Sequence, residues 1–169
     1  MAKWTLDMLN TAPDDERLRA ALAACCAADS WAARIVAGRP YRAVAALCAV
    51  SDDATHGLSD TGLGQALAGH PRIGERASGH GGTWSRQEQA GMSDSDGDVR
   101  TQLASANADY EQHFGHVYLV CATGKSADEL LATCRSRLAN DPATEHNVVL
   151  GELAKINRLR LGKLLHAET

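Results

Sequence analysis

From Asp141-Pro142 to about Leu165 the chain places Val149, Leu153, Ile156 and Leu164 at the spacing of one helical face. Pro142 suits the first turn of such a helix, where its fixed φ and missing N–H are tolerated. At about 100° per residue, Arg160 falls near the middle of that face, four residues after Ile156 and seven after Leu153. Arg158 points to the opposite side. A guanidinium aimed at an apolar core needs an anion, because an unpaired buried charge costs several kcal/mol. Two readings stay open from the pattern alone. Arg160 is either half of an internal ion pair or a snorkelling side chain, or it is a forked donor for a substrate carboxylate or polar ring.

The rest of the chain repeats the helical pattern in shorter pieces. Aromatic residues make up only 4% of the 169 residues, so the core is expected to be aliphatic. Thr5 can cap a short helix through Asn10, and Thr11-Ala12-Pro13-Asp14 predicts the start of another through about Ala27. Ser30 to Gly38, Tyr41 to about Val50, and a helix capped by Ser59-Asp60 follow. Further on lie helices from about Val99 to His113 and from Ser126 to about Asn140. The apolar run Phe114 to Gly124 has no second strong strand to pair with, so it is expected to be extended backbone or a short helix lining a pocket. No repeat or linker divides residues 1–169. The expected fold is all-α, a single-domain helical bundle of about seven to nine helices.

Charge narrows the functional classes. A formal net charge of -4 and no basic stripe with interleaved aromatics weigh against a nucleic-acid partner. Met1 to Asp7 lacks the apolar core of a signal peptide, and no stretch approaches the roughly 20 apolar residues that span a bilayer. Leu165 to Thr169 is no peroxisomal address. Five cysteines form an odd set without a C-x-x-C pair, as in a reduced protein with buried thiols. The expected location is the cytoplasm, with no membrane partner.

The stretch most suited to chemistry is Gly69-His70-Pro71-Arg72-Ile73-Gly74. Pro71 biases His70 toward extended backbone, and the glycines permit tight turns. An imidazole on such a corner can act as a proton donor near neutral pH, or simply bond a helix-terminal carbonyl. Ser85-x-x-Glu88 has the spacing of a capping box, as does Ser126-x-x-Glu129. Glu88 is nonetheless placed to turn toward a ligand. His113-x-x-His116, with His70 or His80, suggests a metal set, but Phe114-Gly115 breaks the helix between them and H-E-x-x-H is absent.

Taken in order, several segments resemble the family of 2-oxo-4-hydroxy-4-carboxy-5-ureidoimidazoline (OHCU) decarboxylases of urate degradation. They are Gly69 to Gly74, Ser85-Arg86-Gln87-Glu88-Gln89, Tyr110-Glu111-x-x-Phe114-Gly115 and Tyr118 to Ser126. Arg137-Leu138-x-Asn140-Asp141 and Glu152-Leu153-x-Lys155-Ile156-x-x-Leu159-Arg160-Leu161 complete the set. The resemblance implies an all-α homodimer that works without metal or organic cofactor and forms (S)-allantoin. It implies catalytic roles for His70 and Glu88. Its implied substrate contacts are Pro71, Ser85, Arg86, Gln87, Gln89, the segment Tyr118, Leu119, Val120, Cys121 and Ala122, and Arg160. A helical binding module without turnover and a metal-dependent hydrolase using His80, His113 and His116 are the competing classes. Because the histidine spacing is poor for a metal, dialysis against a strong chelator is expected to leave melting temperature and activity unchanged. Activity lost and then restored only by a divalent ion would select the hydrolase.

Overall fold

The computed structural model describes residues 4–74, 82–90 and 97–165. Among them are nine helices and no strand: α1 (Leu6–Thr11), α2 (Glu16–Cys25), α3 (Asp29–Ala37), α4 (Val44–His56), α5 (Asp60–Ala68), α6 (Gly82–Glu88), α7 (Gly97–Phe114), α8 (Ala127–Arg137) and α9 (Pro142–Leu165). The expected helical architecture is the one observed. No single helix among the described residues is long and apolar enough to cross a membrane.

Several helix starts follow the sequence signals closely. Thr5 accepts from the Met8 amide at 3.1 Å, and Ser59 accepts from Gly62 at 3.2 Å. Ser126 and Glu129 form a reciprocal capping box, at 3.2 Å and 2.7 Å. Asp141 Oδ1 accepts from Ala143 and Thr144 and so caps α9. Gly69 terminates α5 as expected.

Other boundaries move for tertiary reasons. Asp15, rather than the Thr11 to Asp14 stretch, caps α2 by accepting from Leu18 at 3.0 Å. Ala28 precedes α3 with no side-chain cap; it is 1% exposed, so burial rather than capping fixes that end. Tyr41 stays outside α4 because Asn10 bonds both its N–H (2.8 Å) and its carbonyl (2.9 Å), while its hydroxyl donates to the Ile35 carbonyl. Ser85 lies inside α6, so Ser85-x-x-Glu88 does not form the start of that helix. The Glu88 side chain is thereby released from the capping role that its spacing suggested.

The chain divides into two compact units, Met1–Gly69 with Ala154–Thr169, and His70–Leu153. In the first, Leu9, Leu18, Leu22, Trp31, Ile35 and Leu47 are fully or almost fully buried. A polar thread runs through it: Trp31 Nε1 donates to Ser51, Thr55 Oγ1 to the Ser51 carbonyl, and Asn157 Nδ2 to Thr55 Oγ1. Such buried polar groups hold their place because they are hydrogen-bonded.

In the second unit, α7 packs on α8. Their apolar faces and the 118–122 segment form one core, with Ile73, Leu103, Tyr110, Tyr118, Val120, Leu130 and Cys134 in it. Inside that core sits a buried ion pair, Arg137 Nη2 to Glu145 Oε1 at 2.5 Å, with side chains 7% and 1% exposed. Tyr110 donates its hydroxyl to the same Glu145 oxygen, and Asn140 Nδ2 donates to the other at 2.8 Å. Arg137 Nη1 donates to the Leu119 carbonyl at 2.7 Å, and its guanidinium lies 4.9 Å from the Tyr118 ring centre.

Burial pushes the Glu145 carboxyl up, but hydrogen bonds from Arg137, Tyr110 and Asn140 outweigh it and hold the group below its ordinary value. A carboxyl depressed in the folded state contributes stability above its unfolded value, near pH ~4.3. That contribution is lost as pH falls through the lower folded value. Glu145→Ala leaves a buried guanidinium without its carboxylate and is expected to cost about 3–5 kcal/mol. Paired replacement, Arg137→Met with Glu145→Met, is expected to cost less than Glu145→Ala alone. Urea denaturation at neutral pH and below pH ~4 checks both the magnitudes and the acid sensitivity.

Candidate functional site

The second unit contains the His70 loop, the end of α6 and the 118–122 segment. The loop from His70 to Gly74 is irregular and is fastened at its far end. Gly74 has φ of 91°, in the left-handed region, where glycine avoids the Cβ clash that other residues meet. Its N–H donates to Gln89 Oε1 at 2.8 Å. The Ile73 side chain is 6% exposed within the α7–α8 core, and the Ile73 carbonyl accepts from Asn107 Nδ2 at 2.9 Å. Arg72 forks onto Glu111, with Nε to Oε1 at 2.5 Å and Nη2 to Oε2 at 2.8 Å. That fork holds the Glu111 carboxyl below its ordinary value.

Glu88 occupies the last position of α6 and is only 8% exposed. Arg86 and Gln87 are exposed on the same helix, and Gln89 is half-buried in the turn after it. Ser85 is helical, and its side chain lies outside the described residues, as do His80 and the stretch 75–81.

The 118–122 segment is neither helix nor strand, so its polar groups find side-chain partners. The Leu119 carbonyl takes Arg137, the Cys121 N–H donates to Glu152 Oε2 at 2.8 Å, and the Cys121 carbonyl accepts Lys125 Nζ at 2.9 Å. Tyr118 donates to the Leu130 carbonyl at 3.1 Å, which makes its side chain part of the core. Burial pushes the Cys121 thiol up, and the carboxylates of Glu152 and Glu88 push it further. Glu88 therefore bears electrostatically on this segment. The structure brings together His70's loop, Glu88, Gln89 and the 118–122 backbone in one unit. Arg86 and Gln87 instead face solvent.

Arg160 belongs to the first unit. It is 3% exposed, as the face pattern required, and its Nη1 donates to the Cys25 carbonyl in the last turn of α2 at 3.5 Å. A cation there also suits the negative end of the helix. Arg158 is exposed and binds Asp52, with Nε to Oδ1 at 2.9 Å.

Cavities add one point. The larger, about 840 Å³, is a groove along α2 and α3, half of whose lining residues are alanines, and contains none of the expected site residues. A smaller one, about 340 Å³, opens beside the loop and is lined by Arg72, Gly74, Arg100, Asn107 and Glu111.

Asn107, Glu111, Arg137 and Glu145 were not singled out as site residues by sequence reasoning. For Asn107 a signal existed. It shares a helical face with Leu103 and Tyr110, a polar residue in an apolar stripe, as Arg160 is in α9.

Comparison with known proteins gives a consistent result. Residues 10–162 match the family model for OHCU decarboxylase. The chain is 28% identical over 138 residues to the 2-oxo-4-hydroxy-4-carboxy-5-ureidoimidazoline decarboxylase of Amia calva, covering 79% of each chain. It is 25% identical to the uric acid degradation bifunctional protein TTL of Arabidopsis thaliana, covering 83% of this chain but only 45% of that protein. The fold resembles that of an OHCU decarboxylase crystallised in the presence of (S)-allantoin, with a TM-score of 0.74 and 24% identity, over 85% of this chain and 95% of that one.

The upward push of Glu88 on the Cys121 thiol has a chemical consequence. Thiolate is the species that alkylates, so a thiol pushed up reacts slowly at neutral pH. Glu88→Gln removes one upward push and is expected to quicken alkylation of Cys121 by iodoacetamide at a fixed, mildly alkaline pH. Mass spectrometry of the Cys121 peptide measures it, with half-buried Cys48 as the internal control.

Proposed function

The chain belongs to the OHCU decarboxylase family, and on that premise we propose that it decarboxylates OHCU to (S)-allantoin in urate degradation, with His70 and Glu88 as its acid–base pair. The observation that carries this reading is Glu88, a buried acidic residue in the unit that also holds His70 and the 118–122 segment. A carboxylate withdrawn from water is suited to reacting with a bound ligand.

The substrate carries its carboxylate next to a C=N bond. As the C–C bond to CO2 breaks, its electron pair becomes a C=C bond in the ring, the imine π pair passes to the ring nitrogen, which takes up a proton, and an enol is left. Loss of the enol proton makes the carbonyl of allantoin, and the neighbouring carbon gains a proton. The ring is its own electron sink, so no metal or organic cofactor is needed. The protein's work is to hold the carboxylate out of the ring plane, move protons and present one face.

Glu88 engages the ring hydroxyl and takes its proton, and His70 contacts the carboxylate region and serves as acid. Pro71 stiffens the corner that presents the imidazole. By the family resemblance Ser85 and Gln89, with the backbone from Tyr118 through Leu119, Val120 and Cys121 to Ala122, line the substrate, and Arg86 and Gln87 reach it from the solvent-facing side of α6. The Cys121 amide already donates to Glu152, so its contribution runs through that carboxylate. Arg160 holds substrate oxygens with its planar fork, as the family resemblance implies. The chain works as a homodimer in the cytoplasm.

His70→Ala and Glu88→Ala are each expected to lower turnover by about 10²–10⁴ with the melting temperature nearly unchanged. OHCU is generated in situ from urate, and (S)-allantoin is followed by circular dichroism above the racemic background. A destabilised but fully active Glu88→Ala would return Glu88 to a structural role.

A further inference from the structure

We propose that Asn107 is a positioning residue that sets the His70 loop through the Ile73 carbonyl, an inference that rests on the catalytic reading of His70. The loop reaches from His70 to Gly74, and three fastenings hold residues 72 to 74. Gly74 N–H is held by Gln89, Arg72 by Glu111, and the Ile73 carbonyl by Asn107. Asn107 and Glu111 stand one turn apart on α7, so one helix face backs the loop.

These fastenings are not equal. The Arg72 and Glu111 side chains are 48% and 24% exposed, and a water-screened pair of that kind constrains little. Gln89 is half-buried and sits on a turn, and Gly74 is exposed. Asn107 is 4% exposed, on a helix packed against α8, and its bond to Ile73 is buried. Breaking it leaves a carbonyl without its partner away from water, which a loop relieves by moving. Asn107 Oδ1 finds no partner among the described residues, so the donor end is the one whose bond accounts for this amide in an apolar stripe. Only Pro71 and Arg72 lie between His70 and Ile73, and Pro71 locks its own φ, so little slack remains to absorb a shift.

Asn107→Leu keeps the volume and removes the donor. It is expected to lower kcat by about 10- to 100-fold with KM little changed. It should also alter the chemical shift and titration curve of the His70 ring, read by NMR and assigned against His70→Ala. Leu131→Ala, a cavity in the same core, is the control for a merely structural effect and should leave the His70 resonance in place. If Asn107→Leu does not fold, Asn107→Ser at reduced temperature answers the same question. A folded variant with wild-type kcat and an unmoved His70 resonance overturns the proposal. A moved resonance with a fully active His70→Ala would instead keep Asn107 as the loop's anchor and refute the catalytic reading of His70.

Discussion

The Arg137–Glu145 pair is the interaction on which the second unit depends. It joins α8 to the first turn of α9, and the hydroxyl of Tyr110 brings α7 to the same carboxylate oxygen. Two charges withdrawn from water are costly unless geometry and further hydrogen bonds compensate. Here Glu145 collects donors from Arg137, Tyr110 and Asn140, while Arg137 also serves the Leu119 carbonyl and lies over the Tyr118 ring. The network is satisfied from several directions, and each direction is a different element of the fold.

That arrangement explains how an irregular segment can pass through a helical core. Among the described residues no strand neighbours 118–122, so each buried backbone group is a liability unless something answers it. Arg137 answers Leu119, and Glu152 and Lys125 answer Cys121. Irregular backbone fixed by side chains is a common setting for binding, because its direction is held by a scaffold rather than by a ladder. The same logic recurs at the His70 loop, where α7 and Gln89 supply the fastening.

Buried charge plays two different parts in the chain. Arg137 is enclosed by a complementary anion and aromatic rings, which makes it structural. Arg160 lies on the apolar face of α9 and touches the terminal carbonyl of α2. Face position alone treats both arginines as out of place in a core. What separates them is the partner that each one meets.

Much was legible in the sequence because it depends on short-range chemistry. The helical character, the caps at Thr5, Ser59, Ser126 and Asp141, the stop at Gly69 and the burial of Arg160 follow from spacing and local hydrogen bonding. The order of motifs also indicated the family. What local rules could not decide were choices made by distant residues. Asn10 holds Tyr41 out of α4, and the burial of Ala28 sets the start of α3. Ser85-x-x-Glu88 and Ser126-x-x-Glu129 are the sharpest case. They are the same pattern, yet one lies inside a helix and the other is a capping box. A capping motif offers hydrogen bonds to whichever helix start lies there, but packing decides where the helix starts. The sequence by itself determined the residue types available to the site; the tertiary structure decided that Glu88 is buried and that Asn107, 34 residues from Ile73 in sequence, holds its carbonyl.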